Sequence, residues 1–146
     1  RIMSLKDGSK KMSKSELSDL SRVNLTDDKD QIINKIKKAK TDPLPMPKTI
    51  KELDERLEAK NLIGIYSSLT SSTMEKSIES FAGKNFSEFK EKLSQVLVDK
   101  IEPISLEIKK LLNDQSYLDK ILLDGAEKAN LIASKKIKRM KEIVGF

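Results

Sequence analysis

The residues best equipped for chemistry lie near the start of the chain, in Gly8-Ser9-Lys10-Lys11-Met12-Ser13-Lys14-Ser15. Lys11 and Lys14 stand three residues apart around a short Met-Ser turn, with the hydroxyls of Ser13 and Ser15 beside them. Two ammonium groups at that spacing on a mobile loop can both reach one polyphosphate. Backbone N–H groups and hydroxyls then fill the remaining oxygens. A solvated basic linker is the competing reading of the same letters, and the rest of the chain has to decide.

Composition narrows the alternatives. The 146 residues contain no histidine, which excludes imidazole acid–base work, His metal sites and any Ser–His or Cys–His triad from this chain. They contain no cysteine either, so there is no disulfide or thiolate chemistry, as expected of a protein kept in a reducing cytoplasm. Apolar runs extend only a few residues, and no membrane-crossing segment or signal-peptide core is expected. The net charge of +6 is uneven, with +5 in residues 1–48, −3 in 49–126 and +4 in 127–146. Positive ends of this kind suit contacts with phosphates at two places, and ordinary solubility charge is the plain alternative.

The elements that must hold the loop read as follows. Arg1-Ile2-Met3-Ser4-Leu5 looks like a strand end running into a turn at Asp7-Gly8. One strand needs a sheet that the remaining residues do not offer, so residues 1–15 are expected to be the least packed part of the chain, and the chain to be part of a longer enzyme. Glu16–Asn24 reads as irregular. Asp27 is the expected cap of a helix with a buried stripe of Ile32, Ile33, Ile36 and Ala39, while Lys35, Lys37, Lys38 and Lys40 read as its solvated face. Three prolines within Thr41–Pro47 mark a stiff loop.

Beyond residue 48 the chain reads as helices. Ile50, Leu53 and Leu57 mark one, and Leu62, Ile65, Tyr66 and Leu69 mark a second, with Gly64 expected to admit a neighbouring backbone. Ser72-Thr73-Met74-Glu75 has capping-box spacing and Gly83 is the expected stop. The longest helix is expected from Asn85 to Asn113, kinked near Pro103. A final pair of elements follows, broken near Gly125, with Ala126, Ala129 and Ala133 forming a face for close packing. This pattern defines an all-α helical bundle.

Lys11–Ser15 resembles, letter for letter, the KMSKS signature of class I aminoacyl-tRNA synthetases. Together with Arg1–Leu5, Asn61-Leu62-Ile63-Gly64-Ile65-Tyr66 and Asp124-Gly125-Ala126-Glu127-Lys128-Ala129, in that order, the chain resembles the bacterial-type tryptophanyl-tRNA synthetases over essentially its whole length. Glu16-Leu17 stands where many relatives have Asp-Pro. The resemblance implies an anticodon-binding-type helical domain over residues 25–146. Before it, residues 1–24 would be the end of a Rossmann-type nucleotide-binding domain that otherwise lies outside this chain.

It also implies ATP-dependent activation of tryptophan to tryptophanyl-adenylate and transfer to tRNA(Trp). Lys11 and Lys14 would be catalytic, and Ile2, Lys11, Met12, Ser13, Lys14 and Ser15 would bind ATP, Ile2 through its backbone. Mg²⁺ would be carried by the pyrophosphate, with no metal ligand in this chain. Lys135, Lys138 and Arg139 are the candidates for tRNA contact. A cytoplasmic homodimer is implied for the full-length enzyme, and an inactive monomer for this chain alone. The alternatives are a tyrosyl-tRNA synthetase fragment and a small helical RNA-binding or adaptor protein without enzymatic activity.

Overall fold

Helix α1, Lys29–Lys37, begins at Asp28, whose side chain accepts the Gln31 N–H while the Gln31 side chain accepts the Asp28 N–H. This reciprocal box satisfies two otherwise unpaired donors. The cap is therefore Asp28 and not Asp27, which is drawn inward for another purpose described below. The computed structural model describes residues 1–145. Among them the regular elements are all helical: α2, Ile50–Asp54; α3, Leu57–Leu69; α4, Met74–Phe81; α5, Phe86–Asn113; and α6, Gln115–Val144. A single 3-10 turn at Asp19–Ser21 precedes them.

The chain forms two compact units, Arg1–Leu106 and the residues from Glu107 onward. The first has one core. Ile32 and Ile36 of α1, Leu53 of α2, Leu62 and Ile63 of α3, Ile78 of α4 and Phe89 and Leu93 of α5 are all buried. Each fully buried side chain of this size contributes about 1.5–3 kcal/mol. Ile33 falls off the stripe and is exposed. Tyr66, Phe81 and Phe89 meet edge to face with centroids 4.9–5.9 Å apart and lock α3, α4 and α5 together. Buried hydroxyls also join α3 to α4, the Ser67 Oγ lying 2.7 Å from that of Ser77.

At α4 the cap is Thr73, whose hydroxyl accepts the Lys76 N–H. It lies one residue past the Ser72 that the capping-box spacing with Glu75 indicates, while Gly83 takes the left-handed conformation just past the end as expected. The proline loop is a working part of the unit. Met46 is buried and exchanges backbone hydrogen bonds with Lys84 and Gly83, and Arg56 binds Asp42 through two nitrogens at 2.6 and 2.9 Å.

Several expectations are corrected. The segment Arg1–Leu5 finds several backbone partners within its own chain. Met3 and Lys11 form an antiparallel bridge, Leu5 N–H donates to Ser21 O, Leu5 O accepts from Lys40 N–H, and Leu5 is buried. Residues 1–15 are thus not the least packed. That description fits α6, which has no buried residue. It is one continuous 30-residue helix through Gly125, longer than the 28-residue α5, and Ala126, Ala129 and Ala133 are exposed on it. A lone glycine costs a helix only about 1 kcal/mol, too little to break one of this length. α5, by contrast, runs through Pro103 as one helix, as expected.

The glycine that a neighbouring backbone approaches is Gly8, not Gly64. A Cβ on Gly8 would lie 2.7–2.9 Å from backbone atoms of Leu57 and Glu58, whereas one on Gly64 would meet nothing within 4 Å. Gly8→Ala should therefore destabilise this chain by about 1–3 kcal/mol, the usual cost of overpacking. Gly64→Ala should stabilise it by up to about 1 kcal/mol. Urea unfolding of the two variants checks this, and equal effects of the same sign would contradict it.

Candidate functional site

The lysine loop hangs between two tied ends. On the entry side, Asn61 of α3 clamps the backbone of Met3, accepting its N–H at 2.9 Å and donating to its carbonyl at 2.8 Å. Ser4 N–H donates to Lys10 O at 2.8 Å, and Met12 N–H to Ile2 O at 3.2 Å. The turn is closed by Asp7, which accepts from the Ser9 N–H and hydroxyl. Those bonds hold its carboxyl below the ordinary range. Lys10 pairs with Asp7 at 3.5 Å.

Lys11 and Lys14 are different. Both are exposed, and among the described residues no carboxylate lies within 4.0 Å of either ammonium. Met12, between them, is half-buried against the core, so the turn is anchored by its one apolar side chain. The Ser13 and Ser15 hydroxyls sit 3.0 Å apart, and Ser13 Oγ accepts the Ser15 N–H. The result is a fixed base with two uncommitted cations and two hydroxyls at its tip. Ile2, on the facing strand end, is exposed and its carbonyl is engaged by Met12.

The exit side rests on charges that helical periodicity misreads. Lys35 is not on a solvated face. It is 3% exposed, with its ammonium 2.6 Å from the carboxylates of both Asp27 and Asp19. Asp27, 5% exposed, also accepts the Asn24 N–H at 2.8 Å. Lys35 occupies a position on the Ile32–Ile36–Ala39 stripe, and that is the signal by which it could have been found. Arg22 pairs with Asp19 at 3.0 Å. On the other side of the loop base, Lys40 pairs with Glu58 at 2.8 Å. That contact raises the Lys40 ammonium pKa and lowers that of Glu58.

The Lys35 hydrogen bond, helped by Asn24, holds the Asp19 carboxyl below its ordinary value of 3.8. A depressed carboxylate adds stability that is present above the ordinary value and is lost as pH falls through the lowered one. Carboxyl NMR should accordingly show Asp19 titrating below 3.8. Salt should weaken the effect, because the group is open to water. Titration at or above the ordinary value would contradict the contact.

Lys135, Lys138 and Arg139 lie on α6 at i, i+3 and i+4, hence on one face, and all are exposed. They belong to the second compact unit, whereas the loop belongs to the first. Among the described residues no group of three acidic side chains could hold a metal ion, and no helix is long and apolar enough to cross a membrane.

A signature lysine loop tied to the first helices of an all-α domain defines a class of protein, and family comparison gives the same answer. The model of the family "tRNA synthetases class I (W and Y)" matches residues 1–101, and the chain belongs to that family. Within it, the chain is similar to the tryptophan–tRNA ligases. It is 48% identical to that of Mesorhizobium japonicum over all 146 residues and 41% of that protein. It is 49% identical to that of Rickettsia felis, again over the whole chain and 44% of that protein. The chain thus spans less than half the length of these curated relatives. The fold is that of the corresponding region of a tryptophanyl-tRNA synthetase crystal structure from Mycoplasma pneumoniae. The two superpose with a TM-score of 0.71 at 23% identity, over the whole chain and 45% of that structure.

Proposed function

We propose that this chain is part of a tryptophan–tRNA ligase, which joins tryptophan to ATP as tryptophanyl-adenylate, releases pyrophosphate and passes the amino acid to tRNA(Trp). The observation that carries the reading is the tethered loop with two uncommitted ammonium groups, in a chain whose relatives bear that name. Residues 1–24 act with the nucleotide-binding domain, and residues 25–146 form the helical tRNA-binding domain. The site is placed in the cytoplasm. The full-length enzyme is a homodimer, and this chain alone is an inactive monomer.

Negative charge moves onto the β- and γ-phosphates as the bond to the α-phosphate breaks. Lys11 and Lys14 meet that charge, and one preorganised donor is worth about 3–4 kcal/mol in such a position. Ser13 and Ser15 offer hydroxyl or N–H contacts, Met12 fixes the turn, and the Ile2 backbone borders the adenine. Mg²⁺, when bound to the polyphosphate, neutralises charge on the leaving group. Its ligands would be oxygens of the phosphates and water. Lys135, Lys138 and Arg139 supply phosphate contacts to the tRNA, in a salt-dependent way.

ATP–pyrophosphate exchange by the whole enzyme tests the reading. Exchange should depend on tryptophan and not be supported by tyrosine. Tyrosine-dependent exchange would move the chain to the sister specificity, and no exchange with either amino acid would overturn the ligase reading.

A further inference from the structure

We propose that Arg22 is a positioning residue for the lysine loop, fixing the point at which the loop rejoins the fold so that Lys14 is delivered to the polyphosphate. The proposal rests on the ligase reading above for its chemistry, but the tether itself is a property of this chain. Arg22 Nη1 donates to the carbonyl of Glu16, the residue directly after Ser15, at 2.9 Å. Its other two nitrogens are committed as well, Nη2 to Asp19 at 3.0 Å and Nε to Asn24 Oδ1 at 3.1 Å. The side chain is 18% exposed, so the guanidinium is held on three sides. Asp19 and Asn24 are in turn held by the buried Lys35–Asp27 pair, which ties the loop exit to the interior of the unit through α1.

The consequence is geometric. Met12 is bound to Ile2 on one side and Glu16 to Arg22 on the other, leaving Ser13, Lys14 and Ser15 as the free span. A short span between fixed ends confines where the Lys14 ammonium can go. Misplacing a reacting group by about 1 Å can cost about 10²-fold in rate. The planar fork aims its separate nitrogens at Asp19, Asn24 and Glu16 in fixed directions that a single ammonium does not reproduce, so lysine is a poor replacement.

The test uses single-turnover pyrophosphate release by the whole ligase, normalised to titrated active sites. Arg22→Ala should lower the rate per active site by about 10- to 100-fold with ATP affinity little changed, and Arg22→Lys should recover only part of it. Because Arg22 acts through Lys14, adding Arg22→Ala to Lys14→Ala should slow the reaction little further. Fully multiplicative losses, or a fall in active-site number with an unchanged rate per site, would overturn the proposal. A second arm needs no activity. In this chain, Arg22→Ala should lower the backbone ¹⁵N order parameters of residues 13–17 and leave those of α3 unchanged, and unaltered order parameters there would overturn the tether. Should the wild-type ligase form no tryptophanyl-adenylate, the ligase reading falls, while the relaxation arm still decides the tether.

Discussion

Lys14→Ala is expected to lower the rate of tryptophanyl-adenylate formation by about 10²–10³, the scale of losing one preorganised donor aimed at developing charge. The reason lies in what the loop does before ligand arrives. Its ammonium is exposed and has no carboxylate partner among the described residues, so nothing has to be broken for it to reach a phosphate. Its base is tied by Met12 and by the Met3–Lys11 bridge, so little of the loop must be ordered on closing. Binding energy released only as charge reaches the leaving group raises the rate without tightening the ground state. Lys14→Arg should fall short of wild type, since a planar fork does not reproduce a compact ammonium on a tight turn. Exchange rates at saturating substrates check both variants. A loss below tenfold for Lys14→Ala would contradict the role.

The second large effect is on folding. Lys35→Met should destabilise the chain by about 3–5 kcal/mol, because it leaves the 5%-exposed Asp27 carboxylate without its cation. The penalty comes from the stranded charge, not from the value of the pair. Lys35→Met combined with Asp27→Asn should therefore recover much of the loss, since the amide oxygen can still accept from Asn24 while carrying no charge. Urea unfolding of the wild type, the single variant and the double variant measures this. A single-variant loss under about 1 kcal/mol, the range of surface pairs, would show that water reaches the site freely.

How much of this was legible in the letters follows from what each feature depends on. The lysine loop was legible as a candidate because its residue types and spacing can be read without the fold, and both ammonium groups are exposed in the structure. The all-α architecture was legible because Ile32–Ile36, Leu62–Tyr66–Leu69 and Phe89–Leu93–Leu97 repeat at helical spacing, and Gly83 marks the end of α4 by local geometry alone. What escaped depends on contacts distant in sequence. Lys35 looks like its neighbours Lys37 and Lys38 until Asp19 and Asp27 are folded back upon it. Gly8 and Gly64 are the same residue type, and only the approach of Leu57 separates them. The cap moved from Asp27 to Asp28 because Asp27 is engaged by Lys35. Asn61 reads as an ordinary helix residue until Met3 lies against it.

The central claim is that the loop lysines act on the transition state of tryptophan activation. The most direct test is single-turnover pyrophosphate release by the wild type and Lys14→Ala ligases, at saturating tryptophan and over a range of ATP concentrations. That series separates ATP affinity from the chemical step. The maximal rate should fall by about 10²–10³ while the ATP concentration at half-maximal rate changes little. Equal losses in ATP affinity and in the chemical step would contradict it, and would make Lys11 and Lys14 simple substrate anchors.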